Sequence, residues 1–212
     1  MIHKRNWAAS LAGFALTTSI ASYAAATEYT AYNVAANTTG TQAWNGPLGL
    51  DFDVQGNAIF VYALGAFDDK SDGLAVPLKV GIYDRDTQKL LVSLDFPAAS
   101  GTLVGGNRIL PLPCPITLPA NFHGSIVAVG YGNTERNGNV GVAGLSTDSG
   151  NGAIKFVGGG RYGNQGAGLI YPPTVDGGPV NRYAAGTFLF APACGNDADC
   201  TNADRPSCGD QG

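Results

Sequence analysis

Beyond residue 26 no stretch of this chain keeps its apolar residues at the 3.6-residue spacing of an amphipathic helix. They alternate instead, or run in short blocks, between clusters of glycine, proline and aspartate. That pattern restricts the fold to short strands joined by turns. The clearest strand is Leu48 to Val54 (LGLDFDV), whose period of two turns Leu48, Leu50, Phe52 and Val54 inward and Asp51 and Asp53 outward. Ala58 to Phe67 (AIFVYALGAF) is apolar on both faces, as a central strand covered on each side should be. Lys79 to Tyr83 and Lys89 to Phe96 read as a hairpin pair joined by the turn formers of residues 84–88, with Val80 and Ile82 sharing an inner face with Leu90, Val92, Leu94 and Phe96. Further strands are expected at Arg108 to Leu112, Ser125 to Tyr131, Val140 to Leu145, Ala153 to Val157 and Gly186 to Phe190. Pro111, Pro113, Pro115, Pro119, Gly158 to Gly160 and the Asp-Gly-Gly-Pro of residues 176–179 punctuate them.

Composition agrees. Glycine supplies 31 of 212 residues, about twice average usage, while 44% of the chain is hydrophobic, enough for a core. The expected fold is an all-β, antiparallel, jelly-roll-like β-sandwich over residues 27–192. A formal charge of −4 leaves no basic footprint for nucleic acid.

The first 26 residues read as a cleaved export signal. Lys4 and Arg5 form a basic start, Ala8 to Ile20 a mostly apolar middle, and Ala24 to Ala26 a small-residue cleavage site. Thr17, Thr18, Ser19 and Ser22 break the run short of the ~20 apolar residues a membrane span needs. The cleaved chain, with ten basic and sixteen acidic residues, is expected to be soluble, acidic and secreted or held at the cell surface, with no membrane span. An oxidising compartment makes disulfides the default for Cys114, Cys194, Cys200 and Cys208, in any of three pairings. Cys194 with Cys200 or Cys208 would hold a 193–212 tail otherwise poor in apolar residues, which is expected to be disulfide-linked or partly disordered.

Several motifs between Trp44 and Pro192 carry a resemblance: LGAFDD from Leu64, VGIYDRDT from Val80, GTLVGGNRIL from Gly101, FVGGGRYG from Phe156 and DGGPVNRYAAGTFLF from Asp176. The run resembles a β-sandwich domain of unknown function found in exported bacterial surface proteins. The tail CGNDADCTNADRPSC is similar to short Cys- and Asp-rich modules of myxobacterial-type surface proteins. The resemblance implies a surface location and no particular activity.

Catalytic chemistry is limited by residue supply. His123 is the sole histidine after residue 26, which excludes multi-histidine metal sites, and no G-x-S-x-G elbow is present. Asp148 to Asn151 reads as a turn, and Gly158 to Gly163 formally fits G-x-G-x-x-G but lacks a helix behind it to receive a phosphate. That glycine run reads instead as a connection crossing the sandwich edge. A carbohydrate-active hydrolase would need two facing carboxylates. The strand candidates Asp51, Asp53 and Asp95 read more simply as a solvated stripe.

Binding chemistry is better supplied. Sugar rings stack their C–H faces on aromatic surfaces, and Trp44, Tyr131, Tyr162, Tyr171 and Tyr183 lie in or beside Gly- and Asn-rich loops, two of them in the pairs Arg161-Tyr162 and Arg182-Tyr183. These seven residues are the candidate ligand set, for extracellular polysaccharide or other surface proteins. The competing role for the Arg-Tyr pairs is structural, with each Tyr capping the core and each Arg tying a loop. No cofactor is required. Calcium is the one the composition best tolerates, at Asp68, Asp69 and Asp72 in the loop before Gly73. The sequence therefore points to a non-enzymatic module, carbohydrate-binding or adhesive, with a structural subunit and a secreted hydrolase as alternatives. N-terminal sequencing of the exported protein should begin at Thr27, and recovery of Met1 on the exported chain would remove the export reading.

Overall fold

The computed structural model describes residues 27–139 and 146–193. Among them the chain is all β, with a single 3₁₀ turn at Asp69–Ser71, and it forms an antiparallel sandwich. The first sheet has five strands in the order β1 (Tyr29–Thr30), β13 (Gly186–Pro192), β4 (Ile59–Phe67), β8 (Asn107–Leu118) and β7 (Thr102–Val104). The second has six, ordered β12 (Thr174–Val175), β11 (Ile154–Tyr162), β3 (Leu48–Val54), β9 (His123–Val129), β5 (Leu78–Asp84) and β6 (Leu90–Phe96). A small pair, β2 (Tyr32–Asn33) with β10 (Ser146–Thr147), lies beside them. Most connections cross between sheets; β5–β6 and β7–β8 are tight hairpins, and β11 and β12 pair antiparallel across a longer loop.

Alternation along β3 sets the core. Leu48, Leu50, Phe52 and Val54 are all buried, and the Phe52 ring lies 4.8 Å from that of Phe188 on β13, which joins the middle of one sheet to the other. Phe156 and Phe190 extend this aromatic layer through Phe52 and Phe188, with centroids 6.2 and 5.6 Å away. In the β5–β6 hairpin Asp84 Oδ1 accepts the backbone N–H groups of Asp86 and Thr87, closing the turn expected there.

Several sequence expectations change. Leu90 does not join Val80 and Ile82 inside, because an extra residue between the Ile82–Val92 and Tyr83–Leu90 pairs flips the register. Leu90 is 43% exposed. Strand β8 runs on past the expected end at Leu112, through Pro113 and Pro115, to Leu118. Pro113 and Pro115 sit in a bulge between the Val61–Ile116 and Ala63–Pro111 pairs, on a stretch that β7 leaves as an open edge. Proline is tolerated there because no ladder needs its missing N–H. The Gly158 to Gly160 run is not a connection but the middle of β11, bulged against β3 between Val157 and Arg161. Strand β9 stops at Val129, leaving Tyr131 outside it. The strand expected at Val140 to Leu145, the export signal, Cys194, Cys200 and Cys208 lie outside the described residues.

Because Phe188 touches both Phe52 and Phe190 and is fully buried, Phe188→Ala should cost about 3–5 kcal/mol. Urea unfolding checks this, with an unchanged far-UV spectrum below the transition.

Candidate functional site

At one end of the second sheet β11 carries the loop that builds a cleft. Gly159 and Gly160 allow residues 174–182 to lie directly on the strand. A Cβ at Gly159 would stand 2.6 Å from the Gly178 carbonyl oxygen, and one at Gly160, where φ is +128°, would stand 2.9 Å from the Tyr183 ring. With side chains absent, the Asp176 N–H donates to the Gly160 carbonyl at 2.9 Å and the Arg182 N–H to that of Gly159 at 3.1 Å. The glycines are thus needed for close approach rather than for a turn.

Asp176 organises this loop. Its Oδ1 accepts the Gly178 N–H at 2.8 Å and Arg182 NH1 at 2.7 Å, and its Oδ2 accepts the Tyr183 hydroxyl. Arg182 Nε donates to Asn139 Oδ1 at 2.7 Å, and its guanidinium lies 5.6 Å from the centre of the Tyr183 ring. Burial pushes the Asp176 carboxyl up, but the Tyr183 hydroxyl, the Gly178 N–H and the Arg182 charge together outweigh it and hold the group below the usual carboxylate range. Tyr183 shifts the other way. Burial and its bond to the carboxylate keep the phenol protonated far above neutral pH.

Trp44 completes the far wall. Its segment is tied down by the antiparallel bridge of Gln42 to Asn137, whose side-chain amide donates to the Trp44 carbonyl at 3.2 Å. The indole meets the Tyr162 ring at 6.0 Å and 90°. Gln42, Trp44, Tyr162, Val175, Asp176, Gly177, Arg182 and Tyr183 line a cleft of about 450 Å³. Two of its polar atoms, Gln42 Oε1 and Trp44 Nε1, are shielded from solvent and have no hydrogen-bond partner.

Four of the seven sequence candidates, Trp44, Tyr162, Arg182 and Tyr183, therefore share one cleft. Tyr183 is 4% exposed, so it forms the floor and not a surface platform. Arg161 and Tyr171 sit together elsewhere. Arg161 Nε donates to both oxygens of Asp51, at 2.7 and 3.0 Å, while its guanidinium lies 4.9 Å from the Tyr171 ring, and Tyr171 in turn packs on Tyr83 at 5.9 Å. Arg85 joins Asp51 and Asp53. The expected solvated stripe is thus an ion-paired cluster with Asp51 only 9% exposed, while Asp95 pairs with Lys79 at the exposed edge, 2.8 Å away. Tyr131 is corrected outright. It is core, and its hydroxyl donates to the carbonyls of Phe67 and Ala185.

The acidic loop is organised around backbone and arginine. Arg108 Nε donates to Asp68 Oδ2 at 2.6 Å, Asp69 Oδ1 accepts the Gly40 N–H, and Glu135 accepts the N–H groups of Asp69 and Ala75. Burial raises the Glu135 carboxyl above its usual range against those two bonds, with the charges of Asp68 and Asp69 adding to the rise. Asp68, Asp69 and Asp72 form no metal-holding group, and no three His, Cys, Asp or Glu residues do so among the described residues. His123, 43% exposed in its side chain, lies 3.1 Å from Asp86, and Asp148 and Ser149 close a turn on the N–H groups of Gly150 and Gly152. Cys114 is not a free thiol. A larger groove of about 830 Å³ runs beside β6, past Leu90, Ser93, Pro97, Val129 and Leu169, and none of the seven candidates lines it.

Sequence reasoning missed Gln42 and Asp176. Asp176 was hidden in an Asp-Gly-Gly-Pro run that reads as a turn; the one available signal was an acid six residues before the Arg-Tyr pair. The chain matches no protein-family model and no curated protein.

Because its carboxyl is held below the unfolded value, Asp176 adds stability above about pH 4 that is lost as pH falls through the lower folded value. Asp176→Asn should therefore be less stable than the parent by about 1–3 kcal/mol at pH 7, with the gap narrowing below about pH 4. Urea unfolding across pH 3 to 7 reads both, and a gap that persists at low pH would assign the cost to packing.

Proposed function

We propose that this protein is a non-enzymatic module, secreted or held at the cell surface, that binds carbohydrate in the cleft between Trp44 and Tyr183. The observation that carries the reading is the convergence of Trp44, Tyr162 and Tyr183 with the Asp176–Arg182 pair and Gln42 on one concave site. Apolar ring surfaces beside a few fixed polar groups suit sugars, which present C–H faces and hydroxyl edges together. The partner would be an extracellular polysaccharide, in keeping with the export-type residues 1–26.

Binding is favoured over hydrolysis by the carboxylate supply. Among the described residues Asp176 is the single carboxylate lining the cleft, and it is bonded to Tyr183, Gly178 and Arg182 and held ionised. A glycosidase needs a second carboxyl and a raised pKa on its acid. Assembly into a larger structure is the second reading, supported by β6, a seven-residue edge strand with Leu90 and Leu91 43% and 45% exposed.

Depletion of the protein by a panel of insoluble polysaccharides tests the first reading. At least one polymer should remove it from solution, and Trp44→Ala should weaken that binding by about tenfold or more while leaving cooperative unfolding intact. No depletion by any polymer would shift the assignment to assembly.

A further inference from the structure

The wall of the cleft that carries Trp44 belongs to neither sheet. Residues 37–44 run between β2 and β3 and are held by two other irregular segments. On one side the turn after β4 holds them. Asp69 Oδ1 accepts the Gly40 N–H at 2.7 Å, the Lys70 N–H donates to the Thr38 carbonyl at 2.8 Å, and Ser71 Oγ accepts the Asn37 N–H at 2.9 Å. On the other side Asn137 bridges Gln42 and its amide donates to the Trp44 carbonyl at 3.2 Å, while a Cβ at Gly40 would stand 2.7 Å from the Arg136 carbonyl oxygen. Glu135 joins the two sides. It is 1% exposed, and its Oε1 accepts the Asp69 N–H and its Oε2 that of Ala75, both at 2.7 Å. Three connections between strands thus close on one buried carboxylate.

Charge gives that carboxylate its hold. When ionised it accepts at both oxygens, and such bonds are roughly twice as strong as neutral ones. A proton turns one oxygen into a donor facing an N–H and takes the charge from both bonds. The surroundings favour that proton. Asp68 and Asp69 stand on the turn that Glu135 holds, Arg108 from β8 is engaged by Asp68 at 2.6 Å, Tyr131 on its own segment is a phenol kept protonated by burial, and residues 37–44 contain no titratable side chain. Burial raises the Glu135 carboxyl, and the charges of Asp68 and Asp69 raise it further, against its two N–H bonds. A carboxyl whose folded value lies above its unfolded one favours the folded chain as it takes up its proton. Release at Glu135 is therefore a rearrangement within the folded protein and not acid unfolding.

We propose that Glu135 is a positioning residue of the cleft: its ionised carboxylate locks the Trp44 wall to the turn after β4, and a proton on it frees that wall, so the cleft is formed at neutral pH and loosened in mild acid. What the cleft then lets go rests on the carbohydrate reading; the movement of Trp44 does not. Tryptophan emission reports that movement. The chain has two tryptophans, Trp7 and Trp44, so in full-length Trp7→Phe the signal comes from Trp44 alone. Between about pH 7.5 and about pH 4 it should change reversibly, with a midpoint above the ordinary range of a glutamate and an unchanged far-UV spectrum. Amide exchange at Asp69 and Ala75, corrected for its intrinsic pH dependence, should quicken over the same interval. Asp176, held below the usual carboxylate range, stays mostly ionised there.

Glu135→Gln, which keeps the size and one acceptor but cannot ionise, should show the parent's acid emission already at neutral pH and no transition below it. His123→Gln, which removes the exposed imidazole beside Asp86, should leave the transition in place. A flat Trp44 emission with unquickened exchange would overturn the proposal, as would a transition that survives Glu135→Gln or disappears in His123→Gln. Where Glu135→Gln does not fold, the parent's exchange at Asp69 and Ala75 and the His123→Gln titration decide. Any insoluble polysaccharide that depletes the protein at neutral pH should bind about tenfold more weakly in mild acid. Binding weakened by acid beside an unmoved Trp44 would remove the latch and leave the carbohydrate reading standing. A Trp44 transition beside no binding at any pH would do the reverse.

Discussion

Contact between Phe52 and Phe188 is the joint on which the two sheets depend. One ring comes from β3, in the interior of the six-stranded sheet, the other from β13, in the interior of the five-stranded sheet, and both are fully buried. Buried aromatic rings carry a large share of the apolar area of a core, and here they also set the register of everything attached. With Phe52 inward, Asp51 and Asp53 must face outward, because side chains alternate along a strand. Arg161 and Arg85 meet them there, and the residues after β11 lie over that outer face, with Pro172 3.3 Å from the Cβ position of Gly49 and Leu169 3.2 Å from that of Gly81. The same strand, β11, then receives the Asp176 loop on its glycines. Core packing on one face of the sheet thus fixes the position of the cleft on its flank.

Carboxylates in this protein serve mostly as anchors for backbone. Glu135 ties Asp69 to Ala75, Asp69 holds Gly40, Asp68 holds Gly73, and Asp176 holds Gly178. Long irregular connections carry many N–H groups that no ladder satisfies, and a short acid that accepts two or three of them replaces a missing strand partner. This accounts for acids in turn-rich segments without invoking an ion or a reaction.

Legibility in the sequence followed how local the determining physics was. Leu48 to Val54 was readable end to end because its polar residues fall on every second position, and the 84–88 turn because Asp84 acts on its immediate neighbours. Gly158 to Gly160 was not readable. Glycine signals a turn, and the need for it here comes from a loop that returns some twenty residues later to lie on the strand. Tyr131 stands between two glycines, which suggests exposure, yet its hydroxyl meets carbonyls of Phe67 and Ala185, far along the chain. In the cleft the aromatic and arginine residues stood out by type. Gln42 and Asp176 did not, since an amide in a polar stretch and an acid in a turn carry no mark of the partners that folding brings to them.

The prolines of β8 have a consequence beyond that strand. A sheet edge recruits another sheet through its row of unpaired backbone donors, and Pro111, Pro113 and Pro115 delete donors along the open stretch of β8. Strands β1 and β12, which border the other two edges, are two residues long. That leaves β6 as the one long, proline-free border among the described strands. A particle with a single adhesive border joins a copy of itself antiparallel across a twofold axis and has nothing left to offer a third. Pairing through the described sheet edges alone would therefore stop at two molecules, and a larger array would need surfaces other than these edges.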